Sequence, residues 1–376
     1  VSKWEMVRLG DVCTINPPKK LTQDLYMELN EVSFIPMSDV TEDGRINTSN
    51  KRNYSDVSNG FSYFIEDDVL FAKITPCMEN GKGTIARGLI NGLGVGSTEF
   101  HVLRPNKNLV TSDWVYRFLS YSGFRKIAER NMTGSAGQKR VPKAFLESTL
   151  VPLPPLETQK QITRTLDTVA GLLAMSKQQL VELDNLIKST FYEMFGDPVR
   201  NEKGWKIKKL IELCENLDSK RVPITSKDRE KGIYPYYGAS GIVDYVKNFI
   251  FDGSYLLVSE DGANLLARVT PIAFSVSGKC WVNNHAHVLK FDDYYIQLYI
   301  EYFINNIDIS RYVTGSAQPK LNQAKLNDID IPYPPVELLI KFANIVTKIE
   351  EQKSLVKKAI DETQYLFDSL MSRYFD

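Results

Sequence analysis

His285 and His287 stand two apart beside the apolar run Ala286-His287-Val288-Leu289, so on a strand they would share one face. Two imidazoles in that arrangement can begin a zinc site. The chain has only 3 histidines, so a tetrahedral site would have to draw an unusual set of further ligands. Hydrogen bonding or packing is the simpler use for the pair. Cys13, Cys77, Cys214 and Cys280 show no CxxC spacing and read as small buried apolar residues in a reducing compartment. Asp218-Ser219-Lys220 and Glu351-Gln352-Lys353 have the acidic-x-Lys spacing found in metal nucleases, but the second lies in a long heptad segment. Gly81-Lys82-Gly83-Thr84 lacks both the earlier glycine and the hydroxyl residue directly after lysine that a phosphate loop needs.

Asn16-Pro17-Pro18-Lys19 has the outline of a base-holding Asn-Pro-Pro-aromatic element. Lys19 offers no ring to stack on a base, and no glycine-rich strand-to-helix turn precedes it to hold a cofactor, so it reads as a loop. The remaining polar segments are broken by glycine: 72–83 and 96–101 in the first half; 234–241, 259–264 and 281–287 in the second. Both halves add Thr-Gly-Ser-Ala followed by Gln and basic residues: Gln138, Lys139 and Arg140, then Gln318 and Lys320. Glycines let backbone amides approach phosphates, and Ser, Thr, Lys and Arg fix register on a duplex. Asn, Gln, Arg, Glu and Asp are the types that read base edges. Any single such residue is more simply a solvated turn; together they suit nucleic-acid contact.

The elements that must position these loops are duplicated. Trp4, Leu9 and Cys13 match Trp205, Leu210 and Cys214; Thr133-Gly134-Ser135-Ala136 matches Thr314-Gly315-Ser316-Ala317; Val151-Pro152-Leu153-Pro154-Pro155-Leu156-Glu157 matches Ile331-Pro332-Tyr333-Pro334-Pro335-Val336-Glu337. After each Pro-Pro comes a heptad seam: Ile162, Leu166, Val169, Leu173, Ser176, Leu180, Leu183, Ile187, Thr190 and Met194, then Phe342, Val346, Ile349, Lys353, Val356, Ile360, Thr363, Phe367, Leu370 and Tyr374. The pattern predicts two helices of ~40 residues, ~60 Å long. Neither buries its seam alone, so the two are expected to pair antiparallel, with Ser176, Thr190, Lys353 and Thr363 as polar register positions. Proline before each segment suits a helix start.

The globular parts read as mixed α and β. Strands are expected at 61–65 and 69–72 around an acidic turn, and at 255–258 and 286–289; helices are expected at 112–127 and 295–307. The fold class is α+β: two similar domains at 1–155 and 198–335, each followed by a long helix at 156–197 and 336–376, in a pseudo-two-fold repeat. With 46 Lys+Arg against 46 Asp+Glu, any nucleic-acid binding must use local patches or borrow charge from partners. A composition 43% apolar and 24% charged excludes a disordered or collagen-like chain. No run approaches the ~20 apolar residues of a membrane helix, no signal segment opens the sequence, and a cytoplasmic setting is expected.

On these residues the sequence resembles the specificity subunits of type I restriction-modification systems. The resemblance rests on 68–83, 97–105, 235–241, 260–264, 283–287 and Pro152-Leu153-Pro154-Pro155-Leu156-Glu157-Thr158-Gln159; the second copy of the last run departs, with Leu339 in place of Gln159. It covers nearly the whole chain. The resemblance implies two target-recognition domains, each reading half of a bipartite site in double-stranded DNA, with the paired helices as ruler and dock. It further implies two methyltransferase subunits and a restriction subunit as partners, and no catalysis or cofactor in this chain. S-adenosylmethionine is expected on the methyltransferase. Candidate DNA contacts are Lys73, Thr75, Asn80, Lys82, Thr98, Ser135, Gln138, Lys139 and Arg140 in the first domain. In the second they are Tyr236, Tyr237, Ser240, Glu260, Asp261, Asn264, Arg268, Asn283, Asn284, His285, His287, Ser316, Gln318 and Lys320. A specificity subunit of a type IIB-like enzyme, or a coiled-coil scaffold without DNA readout, would use the same architecture.

Overall fold

The computed structural model describes residues 4–19, 31–135, 137–315 and 318–376. They form two compact units, one of Val1–Ser176 with Ala359–Asp376 and one of Lys177–Lys358. Among the described residues no helix is long and apolar enough to cross a membrane.

In the first unit, β1 (Met6–Arg8), β2 (Cys13–Ile15), β3 (Glu31–Ile35), β4 (Lys51–Asn53) and β5 (Ser62–Ile65) precede β6 (Val69–Ala72). Then come β7 (Gly83–Ile85), β8 (Leu93–Gly96), β9 (Phe100–Pro105), helices α1 (Ser112–Ser120) and α2 (Ser122–Arg130), and β10 (Leu150–Pro152). The order β2-β9-β6-β7 makes one sheet and β4-β3-β8-β5 another, while β1 pairs with β10. All four residues of β6 are buried. Alternation explains why an unbroken apolar run fits there. Val69 and Phe71 join the core containing Trp114, Phe118 and Phe124 of the helices, while Leu70 and Ala72 join Ile35 and Phe64 of the other sheet.

The expected strand pair at 61–65 and 69–72 is not a hairpin, because β5 and β6 belong to different sheets. Asp67 turns the chain with φ 68°, and Asp68 accepts from Ile65 N at 2.9 Å and from Arg104 Nε and Nη2 at 2.8 and 2.7 Å. The expected helix 112–127 is broken at Tyr121, whose ψ of 127° is extended. Thr111 Oγ1 caps the first piece by accepting from Trp114 N at 3.1 Å.

The second unit holds β11 (Lys206–Lys209), β12 (Glu215–Asn216), β13 (Lys231–Gly238), β14 (Gly241–Val246), β15 (Phe251–Ser259), β16 (Ala273–Val282), β17 (Ala286–Lys290) and β18 (Asp330–Tyr333). One sheet runs β12-β17-β15-β16-β13-β14, and β11 pairs with β18. The repeat is therefore exact at the ends and loose in the middle. Met6 faces Pro152 in β1–β10, and Ile207 faces Pro332 in β11–β18, but two sheets stand where the second unit has one.

Helix α3 is Leu156–Phe195, α4 is Tyr294–Asn306 and α5 is Val336–Phe375. In the first unit Ile162 and Leu166 of α3 share a core with Met371 and Phe375 of α5. Phe375 packs on Trp114, Phe118 and Tyr121 with ring centroids 4.7, 5.9 and 6.1 Å apart. In the second unit Ile187, Phe191 and Phe195 meet Leu339, Phe342, Val346 and Ile349. In both, early residues of one helix face late residues of the other, so the pairing is antiparallel. Every seam residue named above is buried or half-buried. Lys353, polar in the seam, bonds Asp184 and Glu350 at 2.6 Å each. Burial opposes its charge, but these two carboxylates outweigh that and raise its pKa.

Gln159 and Leu339, the point of departure between the repeats, are both fully buried. Gln159 accepts from Thr111 N at 2.9 Å and donates to Leu109 O and Pro154 O at 3.0 and 2.8 Å, tying the start of α3 to a loop. Leu339 instead fills an apolar core, where an amide would lack partners.

Candidate nucleic-acid interface

Thr133 and Thr314, which open the two shared Thr-Gly-Ser-Ala segments, each form an isolated bridge in their unit. In the first unit Arg140 bridges Ile74 and Thr133. Its Nε and Nη2 donate to Glu99 at 2.9 and 2.7 Å, and its Nη1 donates to Gln138 O at 3.0 Å. The hydrogen bond from Arg140 holds the Glu99 carboxyl below its ordinary range. Asn80, Thr98, Ser135, Gln138 and Lys139 are exposed, and Lys73 and Thr75 are half-buried. Thr75, Glu79, Glu129, Arg130, Met132, Gly137 and Lys139 line an open cavity of about 540 Å³. Thr75 Oγ1 donates to Glu79 Oε1 at 2.7 Å, while Glu79 Oε2 is buried without a hydrogen-bond partner. Lys82 is committed to the fold, since its Nζ donates to Met37 O at 3.1 Å.

In the second unit Lys320 bridges Asp261 and Thr314, and its Nζ lies 3.1 Å from Glu260 Oε1. Ser240, Asn284, His285, Gln318 and Lys320 are exposed, and Tyr237, Asp261 and Asn264 are half-buried. His285 Nδ1 sits 2.7 Å from Asp261 Oδ2. Ser316 lies outside the described residues.

Four expected contacts are corrected by burial: Tyr236, Glu260, Asn283 and His287 are 1%, 9%, 6% and 0% exposed. The Tyr236 hydroxyl accepts from Ile224 N at 3.0 Å. Asn283 Oδ1 accepts from His285 N at 2.8 Å. Arg268 is also turned inward, donating to Ile304 O and Ile307 O at 3.2 and 2.8 Å. Tyr236, Asn283 and Arg268 thereby commit polar atoms to the fold.

Nor do the two histidines share a strand face. His285 precedes β17, and only His287 lies in it. His287 Nδ1 meets Asp218 Oδ2 at 2.6 Å and its Nε2 meets Leu321 O at 2.7 Å. Both partners are acceptors, so the ring is held between the Asp218 carboxylate and a backbone carbonyl. Its counterpart His101 differs. Asn16 Oδ1 accepts from Val102 N at 3.0 Å, which turns Asn16 Nδ2 toward His101 Nδ1 at 3.0 Å. His101 Nδ1 therefore accepts, Nε2 donates to Val141 O at 2.8 Å, and the ring is neutral. Burial pushes its pKa down. Asn16, read as a loop residue, is thus a positioning residue in the left-handed region at φ 51°.

Asp218, Glu260 and His287 offer ligand atoms within 4.8 Å of one another. The cluster is already charge-matched. Arg221 Nη1 donates to Glu260 Oε2 at 2.7 Å and Arg221 Nη2 lies 3.4 Å from Asp218 Oδ2. Burial works against ionising Glu260, but the bond from Arg221, the His287 charge and Lys320 together hold its carboxyl low. An incoming metal would have to displace the Arg221 guanidinium and the His287 Nδ1 bond, so the set reads as an ion-pair network. Sequence reasoning missed Arg221 and Glu99, and weighed Asp218 only as an acidic-x-Lys residue. No spacing links Asp218 to His287, 69 residues away. Burial pushes the Cys13 and Cys214 thiols up to about 12 and Cys280 up to about 11, which suits packing rather than nucleophilic chemistry.

Comparison with known proteins defines the class. The family model described as type I restriction modification DNA specificity domain matches residues 1–185 and again 202–363. The chain belongs to that family. It is 39% identical over 184 residues to the type I restriction enzyme EcoAI specificity subunit of Escherichia coli, and 38% identical over 184 residues to the EcoEI specificity subunit of the same organism. Each match covers 48% of this chain and 30% of the relative, so the chain spans about a third of the length of these relatives. A crystal structure of the type I restriction-modification system S subunit from M. genitalium shares the fold, with TM-score 0.62 at 14% identity over 100% of this chain and 96% of that one.

Proposed function

We propose that this chain is the DNA-recognition subunit of a type I restriction-modification complex. Each of its two domains, 1–155 and 198–335, reads one half of a bipartite target. The observation that carries this reading is the family match found once in each half of the chain. The helices at 156–197 and 336–376 set the separation of the half-sites and dock two methyltransferase subunits, with a restriction subunit joining for cleavage. Leu172, Met175, Tyr365 and Leu366 in the first unit, and Val181, Leu186 and Leu355 in the second, are exposed apolar residues on these helices; they support a docking role. The chain itself performs no catalysis and works in the cytoplasm. Methyl transfer and S-adenosylmethionine belong to the partner. Neutral net charge suits a subunit whose partners help enclose the duplex.

The test is methyl transfer to DNA by the purified chain, alone and with its methyltransferase partner, together with methylome sequencing of the host with and without the gene. The expected result is no transfer by the chain alone and loss of one bipartite motif when the gene is deleted. Robust transfer by the isolated chain would reject the reading.

A further inference from the structure

Two readers of unlike half-sites can hold in common only contacts that carry no sequence information. The two units diverge in their middles but repeat one local arrangement bond for bond. In the first unit Thr133 and Arg140 exchange N–H···O bonds of 2.9 and 2.8 Å, and Val141 N donates to Lys73 O at 2.9 Å. In the second, Thr314 and Lys320 exchange bonds of 2.8 Å each, and Leu321 N donates to Glu260 O at 2.7 Å. Buried His101 and His287 bind the carbonyls of Val141 and Leu321 at 2.8 and 2.7 Å. Gly134 and Gly315 turn the loops at φ 124° and 81°.

Each arrangement ends in a cation pinned by a carboxylate, and the two carboxylates come from different places. Glu99 lies just before β9, whereas Glu260 follows β15 and occupies the backbone position of Lys73. Two sequence solutions hold a cation at the same backbone position, so a cation there is the shared feature. Both side chains remain reachable, at 41% exposed for Arg140 and 52% for Lys320. Among the described residues, Glu99 and Gln138 O engage the Nε edge and one N–H of Nη1, which leaves one N–H on each of Nη1 and Nη2. Lys320 keeps ammonium hydrogens beyond the one facing Glu260. Arg in one unit and Lys in the other suits phosphate, which accepts a guanidinium as a fork and an ammonium as a point charge.

Resting on the DNA-recognition reading, we propose that Arg140 and Lys320 are equivalent backbone-phosphate anchors, one per half-site. Glu99 and Glu260 are the positioning residues that fix them. The bases are read by residues the two units do not share.

The test uses the full chain assembled with its methyltransferase partner. Binding is measured to a duplex carrying the host-methylated motif and to a scrambled duplex, across a salt titration from about 50 to 200 mM. Arg140→Ala and Lys320→Ala should each weaken both duplexes alike, by roughly tenfold, and flatten the salt slope by about 0.9. Arg140→Lys should restore most of the binding, and the methylome motif should stay unchanged in all three variants. Glu99→Gln and Glu260→Gln keep the cation and the full slope, and should weaken both duplexes alike, by roughly threefold. A motif that changes at one base in Arg140→Ala or Arg140→Lys, or salt slopes untouched by both alanine variants, overturns the inference while leaving the DNA reading intact. A wild-type complex that shows no motif and no salt-dependent binding overturns the DNA reading itself.

Discussion

Asp218→Asn should be among the most damaging single-atom changes in the second unit. The Asp218 side chain is 4% exposed and that of His287 0% exposed. One carboxylate oxygen accepts from Val288 N at 2.9 Å and the other from His287 Nδ1 at 2.6 Å, with Arg221 3.4 Å away. An amide can keep the Val288 bond with its oxygen. Its NH₂ then faces the His287 Nδ1–H and a guanidinium, donor against donor. One charge-assisted bond is lost, typically worth about 1.5–3 kcal/mol, and the largely buried Arg221 loses one of its carboxylates, where removal of one partner of a buried pair costs about 3–5 kcal/mol. These overlap, and Glu260 at 3.8 Å from His287 retains part of the balance. The expected net loss is about 3 kcal/mol, or roughly 6–12 °C in Tm for a unit of this size.

The same substitution should alter acid sensitivity. Burial alone would raise the Asp218 pKa, but His287, the Val288 N–H and Arg221 outweigh it and hold the carboxyl below its ordinary 3.8. The stabilisation is therefore complete above that value and disappears as pH falls through the depressed one. Asp218→Asn should show a shallower loss across that acid window, lacking this contribution. Urea unfolding followed by hydrogen exchange of the β17 amides localises the effect to the second unit. A double-mutant cycle with His287→Gln should give a coupling of about 2 kcal/mol. A loss under about 0.5 kcal/mol, or zero coupling, would refute the histidine–carboxylate account.

Three further outcomes can be measured. Burial pushes the Glu301 carboxyl, which accepts from Ser275 Oγ at 2.5 Å, up to about 7 from 4.5. Because the folded value is raised, stability is lost as pH climbs from the unfolded value through about 7; Glu301→Gln should abolish that slope and gain about 1–2 kcal/mol at alkaline pH, checked by urea titration. Phe375→Ala removes the ring packed on Trp114, Phe118 and Tyr121 and should cost the first unit about 3–5 kcal/mol by the same method. Deleting one heptad from both α3 and α5 shortens each by about 10 Å, and methylome sequencing should then show a changed spacer between unchanged half-sequences.

The sequence alone determined whatever depends on periodicity or repetition. The seam of α3 and α5 could be read because a heptad helix hides the same residues wherever it lies, and Ile162, Leu166, Phe342 and Val346 are all buried. The duplicated ends were equally legible, since Trp205, Leu210 and Pro332 repeat their partners in type and order. Only tertiary structure decided which polar residues face solvent. Tyr236, Asn283 and His287 have the residue types of a DNA surface, yet are buried because Ile224 N, His285 N and Asp218 satisfy them inside. Likewise Glu99 meets Arg140 across 41 residues and Asp218 meets His287 across 69. Such pairings follow from strand order, and strand order leaves no short-range trace in a chain.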